Sequence, residues 1–502
     1  MFDVKPMAAI DKAGGRLTTL SLQAAALGLL ALLLVKALFD VDNHFDSWWY
    51  HLPWAARLAG LMSADEYLFE PLAAARFEGF PLLPELLQGI LWRATGRVES
   101  ANLVSFLSLV AYVFFLRRYL HVAWWLAVPA LLAVPLVQAH ATSTYVDLIA
   151  NLAMAALVLS TFLAYVRPGF VRRETLAVLL GAAFVAANSK LQLIPLVALV
   201  LVFAAYPVAI WLRRADLRQA SGSGTTLRLA VTAIALAFIF FVPLKNVVQH
   251  GNPVYPLKLQ IAGFVFNHQE ALPPEDLGGG ALTQASQPTK WFYSVFEIGM
   301  TPLIDVRRWT LDGASPPGSP MTLQGGFFNI YVAGQLLLFF GLALRAGSTE
   351  RKASLLLVGI MTVVTMVMPA SHLLRYYLYW FICIISLNLY FLASLEFEWL
   401  RRIAGGAFLL FVLIVIAITK QNFVRPRFHP LEQLLAERVD QRILRDVRSG
   451  GPVCLALADL SRPFLYAPLW YRPAAYTIKV GPFHPADEAE VEATCDGRRI
   501  VR

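Results

Sequence analysis

Apolar runs of about twenty residues recur through most of the 502-residue chain, and that length matches the hydrocarbon thickness of a bilayer. Backbone polar groups inside lipid must be satisfied within the segment, so each run is expected to be a helix. Spans are expected near 18–39, 100–116, 122–138, 146–166, 174–190, 192–212, 227–246, 322–344, 353–369, 376–395 and 403–419. A further apolar piece, 80–95, contains Pro81, Pro84 and Glu85. It reads as a short span, a re-entrant hairpin or a surface helix. The fold class is therefore an all-α polytopic membrane protein of roughly eleven to thirteen spans. Composition agrees: 58% of residues are hydrophobic and 15% charged, against about a quarter charged in soluble domains.

The basic residues set an orientation. Arg117 and Arg118, Arg167 with Arg172 and Arg173, Arg213 with Arg214, Arg218 and Arg228, Arg345 with Arg351 and Lys352, and Arg401 with Arg402 fall between spans. The positive-inside bias makes those loops cytoplasmic. Lys5, Lys12 and Arg16 precede the first apolar run, 17–39, which is long for a signal-peptide core and reads as an uncleaved span with a cytoplasmic N-terminus. Loops 40–79, 139–146, 247–321 and 370–375, and the C-terminus, then lie outside, provided 80–95 does not cross by itself. The net charge of +9 follows from the same bias. No basic stripe interleaved with stacking aromatics occurs on a soluble segment, which argues against nucleic acid.

Two units are expected: a transmembrane unit over 1–420, and a small extracytoplasmic α/β domain over 421–502. In the second, Leu431, Leu434, Leu435, Val439, Ile443 and Val447 recur at helical spacing, and Gly450 and Gly451 end that helix. Strand-like runs follow at 453–457 and 476–480. An extracytoplasmic location would permit Cys454 and Cys495 to pair, but two cysteines carry no spacing signature, so pairing stays open. Cys383 lies in an apolar run and reads as an inert small hydrophobe.

Chemistry concentrates in residues 40–62, DVDNHFDSWWYHLPWAARLAGLM. Asp40, Asp42 and Asp46 follow the first span, with His44, Tyr50 and His51 close by. A bilayer penalises ionised groups, so acids crowded at a span end suggest a polar site at the membrane surface. Trp48, Trp49, Leu52, Trp54, Leu58 and Leu61 have the composition of a helix lying in the interface plane. A carboxylate there can take a proton from an acceptor hydroxyl while a leaving group departs. Asp40 and Asp42 are also candidate oxygen ligands of a divalent cation. Asp40 alone reads better as the end of the span; Asp46, which opens the aromatic helix, is the better base, and an N-cap role does not exclude that.

A second, distributed group is expected on the same face: His140, Tyr145 and Asp147; Asn188 and Lys190; Lys245, His250 and Asn252; His372 and Arg375. Cations at that level suit a phosphate, Arg by a bidentate fork and Lys as a point charge. Singly, each reads as a side chain snorkelling to the interface. No GxxxxGK[ST], HExxH, GxSxG or CxxC motif is present, so nucleotide hydrolysis, zincin chemistry and nucleophile-elbow hydrolysis lack support.

A first span followed by an acidic amphipathic loop resembles the membrane-embedded GT-C glycosyltransferases. Asp46-Ser-Trp-Trp-Tyr50-His51-Leu52-Pro53 is similar to the D-x3-YHLP signature of a bacterial branch related to the protein mannosyltransferases and aminoarabinose transferases. Gly251-Asn252-Pro253-Val254-Tyr255-Pro256-Leu257 is similar to that branch's GNPxYPL segment. Asn188-Ser189-Lys190 and Arg375-Tyr376-Tyr377 occupy places where the family often carries Lys and Arg. The resemblance covers most of 17–420. It implies a bacterial inner-membrane enzyme with a polyprenyl-phosphate sugar donor, transfer on the non-cytoplasmic face, and a first-loop Asp as base, which falls on Asp46. Asp42 is its expected catalytic companion. Tyr50, His51, Asp147, Lys190, Lys245, Asn252, His372 and Arg375 are the expected substrate-binding residues. The acceptor is a glycan, a lipid or a protein, and membrane lipids surround the chain. The 247–321 loop departs from the family, its acids Glu270, Glu275 and Asp276 being scattered. Two other readings stand beside this one: a multi-span transporter or lipid flippase, and a non-catalytic assembly or polymer-ligase-like protein.

Overall fold

The structure, a computed structural model, describes residues 14–216, 223–261, 263–266, 285–300, 309, 326–395, 398–419, 424–457, 462–482 and 487–502. Glu270, Glu275 and Asp276 lie outside the described residues. The helices are α1 (Gly14–Phe39), α2 (Leu52–Leu58), α3 (Pro71–Gly79), α4 (Leu83–Thr95), α5 (Leu103–Tyr119), α6 (Trp124–Leu132), α7 (Pro135–His140), α8 (Asp147–Val166) and α9 (Arg173–Ser189). They continue as α10 (Ile194–Asp216), α11 (Ser223–Ile239), α12 (Phe241–His250), α13 (Gln287–Val295), α14 (Asn329–Ala343), α15 (Ser348–Val367), α16 (Tyr379–Ala393) and α17 (Glu398–Thr419).

This is an all-α polytopic membrane architecture, and each expected span, over its described residues, contains a helix or a broken helix pair; 322–325 lie outside the described residues. Among the described residues, Thr19–Phe39, Val98–Tyr119, Asp147–Val166 and Leu191–Arg213 are long and apolar enough to cross a membrane. The pair α11–α12 adds a fifth if it counts as one span, bent by 72°. The other expected spans are shorter or carry charge in their first turn, as α9 does with Arg173 and Glu174. Helix α8 is the hub, packing against α5, α9, α10, α15 and α16.

Two expected spans are interrupted for visible reasons. Pro135 lacks an amide hydrogen and holds Val134 in an extended conformation, which separates α6 from α7. At the break between α11 and α12, the Asn188 amide donates to the carbonyls of Phe238 (3.3 Å) and Ile239 (3.1 Å), satisfying acceptors in the last turn of α11.

The 80–95 piece is the 13-residue helix α4. At about 20 Å it is too short to cross. Leu86, Leu87 and Ile90 are exposed, while Glu85, Gln88, Gly89 and Trp92 are buried. Gly89 lies against the carbonyl of Ala55, with no space for a Cβ, so α2 and α4 pack backbone to backbone.

The tryptophan-rich helix does not lie open to lipid as expected. Trp48 and Trp54 are fully buried. Trp48 packs against Phe464 and Trp470, at ring distances of 6.0 Å each, and Trp92 stacks on Trp470 at 5.4 Å. The C-terminal region therefore covers the apolar face that composition assigned to the bilayer.

That region is built around a parallel sheet of order β1-β5-β4-β6, with β1 (Tyr67–Leu68), β4 (Gly451–Leu455), β5 (Tyr476–Val480) and β6 (Arg499–Val501). A separate hairpin pairs β2 (Leu259–Ile261) with β3 (Phe264–Phe266). Strand β1 comes from the first loop and pairs Tyr67 with Ile478 and Leu68 with Lys479, so the two segments share one sheet. The single helix expected over 431–447 is two, Leu431–Arg438 and Gln441–Arg448. Asp440 separates them and caps the second by accepting from the Arg442 amide. Cys454 and Cys495 form a disulfide, and Cys383 is free and buried.

Candidate active site at the end of the α8 hub

Four elements bring charge together. The π-helical turn Ser47–His51 follows Asp46; α8 begins at Asp147; Lys190 lies between α9 and the 3-10 turn Leu191–Leu193; and the 3-10 turn Leu374–Tyr377 leads into α16. Asn151 locks two of them. One turn into α8, its amide donates to the carbonyls of Asp147 (2.8 Å) and Arg375 (3.1 Å), while its oxygen accepts from the Tyr379 amide (3.0 Å). Asn151 was not among the expected site residues. The available signal was a polar side chain one turn inside an apolar span.

The Arg375 guanidinium donates from Nη1 to Asp46 Oδ2 at 3.1 Å, and the Tyr50 hydroxyl donates to the same oxygen at 3.2 Å. Lys190 pairs with Asp147, and both side chains are buried. Aromatic faces close the cluster: the Lys190 ammonium lies 3.9 Å from the centre of the Tyr376 ring, and Arg375 lies 5.1 Å from Tyr376 and 5.2 Å from Tyr145. Such faces stabilise cations that have lost solvent. His140 sits beside Tyr145, at 5.5 Å between rings. Burial, reinforced by the Asp46 charge, holds the Tyr50 hydroxyl well above the usual phenol range, although Arg375 acts against it. Tyr50 is thus a neutral donor to Asp46.

Of the expected residues, Asp46, Tyr50, Asp147, Lys190 and Arg375 converge. The others are engaged elsewhere. Asp42 lies outside this cluster: its Oδ2 accepts from Ser47 Oγ (2.8 Å) and the Thr144 amide (2.8 Å), and its Oδ1 faces His44 Nδ1 (2.5 Å). Burial alone would raise its carboxyl; the adjacent His44 charge and these hydrogen bonds reverse that and hold it well below the ordinary carboxylate range. Asp40 accepts from the backbone amides of Arg427 (2.8 Å) and His429 (3.2 Å) and from Lys36 (3.2 Å). Both acids join distant segments through these bonds. Among the described residues no group of three or more His, Cys, Asp or Glu could hold a metal ion.

His51 is buried and bonded through Nδ1 to Glu85 Oε1 at 2.8 Å, so it is not presented to a substrate. Asn252 is a turn former: its amide donates to the Leu257 carbonyl (2.8 Å) and its oxygen accepts from the Val254 amide (2.9 Å). It follows Gly251, which ends α12 at φ +66°. The GNPVYPL segment thus folds as a tight turn, docked where Asn246 donates to the Gly79 carbonyl (2.8 Å). Lys245 donates to the neighbouring Glu78 carbonyl. The His372 carbonyl accepts from Ser294 on α13 (2.5 Å), and its ring faces Gln287.

The arrangement therefore presents a carboxylate held on one oxygen by an arginine and a tyrosine. A second cation stands nearby, with its own counter-ion. An incoming phosphate could compete with the carboxylates for both cations.

No protein-family model and no curated protein matches the chain. A solved structure, ArnT from Cupriavidus metallidurans in the apo state, is similar over 97% of this chain and 90% of its own, with 14% sequence identity and a TM-score of 0.40.

Proposed function

We propose that the protein is a membrane glycosyltransferase of the GT-C type. It moves a sugar from a polyprenyl-phosphate donor to an acceptor hydroxyl on the non-cytoplasmic face of a bacterial inner membrane, with Asp46 as general base. The observation that carries this reading is the contact of Asp46 with Arg375 beside the Lys190–Asp147 pair.

The chemistry fits those groups. Glycosyl transfer develops positive charge on the sugar and negative charge on the departing phosphate. Asp46 takes the acceptor proton and faces the sugar charge. Arg375 and Lys190 take the phosphate charge, the guanidinium as a planar fork and the ammonium as a point charge. Donor binding draws Arg375 toward the phosphate, which unmasks Asp46 as the donor arrives. In this reading Tyr50 stays on Asp46, and the C-terminal domain expected over 421–502 lies on the same face as the site.

Membranes containing the full chain and a panel of radiolabelled undecaprenyl-phosphate hexoses test the reading. Asp46→Asn abolishes transfer of label into membrane material while the protein still folds. Undiminished transfer by that variant removes Asp46 from the role. Substrate flux through proteoliposomes without donor lipid, together with no transfer by the wild type, replaces the enzyme with a transporter.

A further inference from the structure

The buried pair Glu85–His51 belongs to no part of the proposed chemistry, yet it stands directly behind it. Glu85 Oε1 lies 2.8 Å from His51 Nδ1, and both side chains are nearly inaccessible. Glu85 Oε2 is buried without a hydrogen-bond partner among the described residues. Burying a carboxylate with one oxygen unpaired opposes folding, and two apolar side chains would fill the same space at lower cost. Packing alone does not account for the pair.

The next contacts lead to the site. The His51 ring lies 4.2 Å from the Tyr50 ring, and Trp54 lies 4.7 Å from Tyr50 on the same run of helix. The Tyr50 hydroxyl reaches Asp46 Oδ2 at 3.2 Å, the oxygen that also receives Arg375. Once Arg375 turns to the phosphate, the Tyr50 hydroxyl is the contact on Oδ2 that remains. Helix α4, which carries Glu85, is fixed twice: by Gly89 against Ala55, and by the Gln88 amide donating to the Thr144 carbonyl at 2.6 Å. A side chain rooted there is a rigid support.

We infer that Glu85 is a positioning residue for the transfer: it orients His51, whose ring holds Tyr50 so that the tyrosine hydroxyl stays on Asp46. The inference rests on the proposed glycosyl transfer. A carboxylate that orients a histidine, which in turn fixes a reacting group, is a recurrent arrangement in active sites.

The test compares Glu85→Leu, Glu85→Gln, Tyr50→Phe and the double variant Glu85→Leu/Tyr50→Phe in the full chain, using the same radiolabelled undecaprenyl-phosphate hexoses. Glu85→Leu is expected to lower kcat about tenfold or more with donor KM within about twofold of wild type. Glu85→Gln keeps an acceptor for His51 and is expected to restore kcat to within about threefold. The double variant should be no slower than Tyr50→Phe, because both changes remove one interaction. Wild-type kcat in Glu85→Leu, or multiplicative losses in the double variant, overturns the inference. A loss in Glu85→Leu that only tracks the folded fraction, without rescue by Gln, makes the pair purely structural and also overturns it. Transfer by Asp46→Asn in the same assay points instead to failure of the functional reading.

Discussion

Arg375 and Asp46, 329 positions apart in the chain, meet through a single charge-assisted hydrogen bond of 3.1 Å from Nη1 to Oδ2. Both side chains retain a little exposure, 12% and 13%, so the pair can exchange partners with an incoming anion. Replacing Arg375 with Lys keeps a charge but loses the planar fork. Transfer is expected to fall about 100-fold or more in Arg375→Ala, and by less in Arg375→Lys. Equal rates for the two variants would mean that a charge without the planar fork contributes nothing; a wild-type rate in Arg375→Lys would mean that charge alone suffices.

The Lys190–Asp147 pair is more deeply buried, so breaking it acts first on stability. Asp147→Ala leaves an ammonium without its counter-ion and is expected to cost about 3–5 kcal/mol. Adding Lys190→Met to that variant should recover most of the loss without recovering transfer. Thermal melts in nanodiscs, read beside the transfer assay, check both parts. An Asp147→Ala protein that melts with the wild type would mean that Lys190 has another counter-ion.

Asp42 makes an acid-sensitive joint. Its folded-state carboxyl is held below the ordinary value of 3.8. A depressed folded-state value stabilises the fold above the unfolded-state value, and that contribution drains away as pH falls. The wild type should therefore lose melting temperature steadily below about pH 4. Asp42→Asn should start lower at pH 7 and decline less steeply across the acid range. Parallel slopes for the two proteins would remove Asp42 from the acid response.

The disulfide joins β4 to the helix Glu488–Cys495 across a separation of 41 residues. Closing a loop of that size constrains the unfolded chain by roughly 4 kcal/mol on the chain-entropy estimate. Denatured, unreduced protein should show one reactive thiol, Cys383, and reduced protein three. Three thiols before reduction would mean that the pair is open in the protein as made. Cys454→Ser with Cys495→Ser should destabilise the segment that covers Trp48, and with it the turn that carries Asp46.

Much of the candidate cluster was legible because its groups break a strong rule. Asp147, Lys190 and Arg375 stand out as charges at the ends of apolar runs, and Asp46 stands out in an acidic cluster beyond the first span. What local pattern did not show is which remote partner each group meets. Asp42 owes its structural role to Thr144, 102 positions away, and Asp40 to Arg427, 387 positions away. The tryptophan run has the composition of a lipid interface, yet Trp48 is buried against Phe464 and Trp470 of the C-terminal segment. Glu85 was visible only as an acid in the apolar piece 80–95, and the partner His51 gives it a place.

The sequence alone determined that this chain is a helical membrane protein with acids and bases at the ends of its spans, because length and apolarity are local properties that a bilayer reads segment by segment. Which acid meets which base was decided by tertiary structure. The α8 hub sets Asp147 and, through Asn151, the Arg375 backbone, while the C-terminal sheet borrows a strand from the first loop. Hydrogen bonds and ion pairs act over a few ångströms in space whatever the distance along the chain, so no local pattern could assign them.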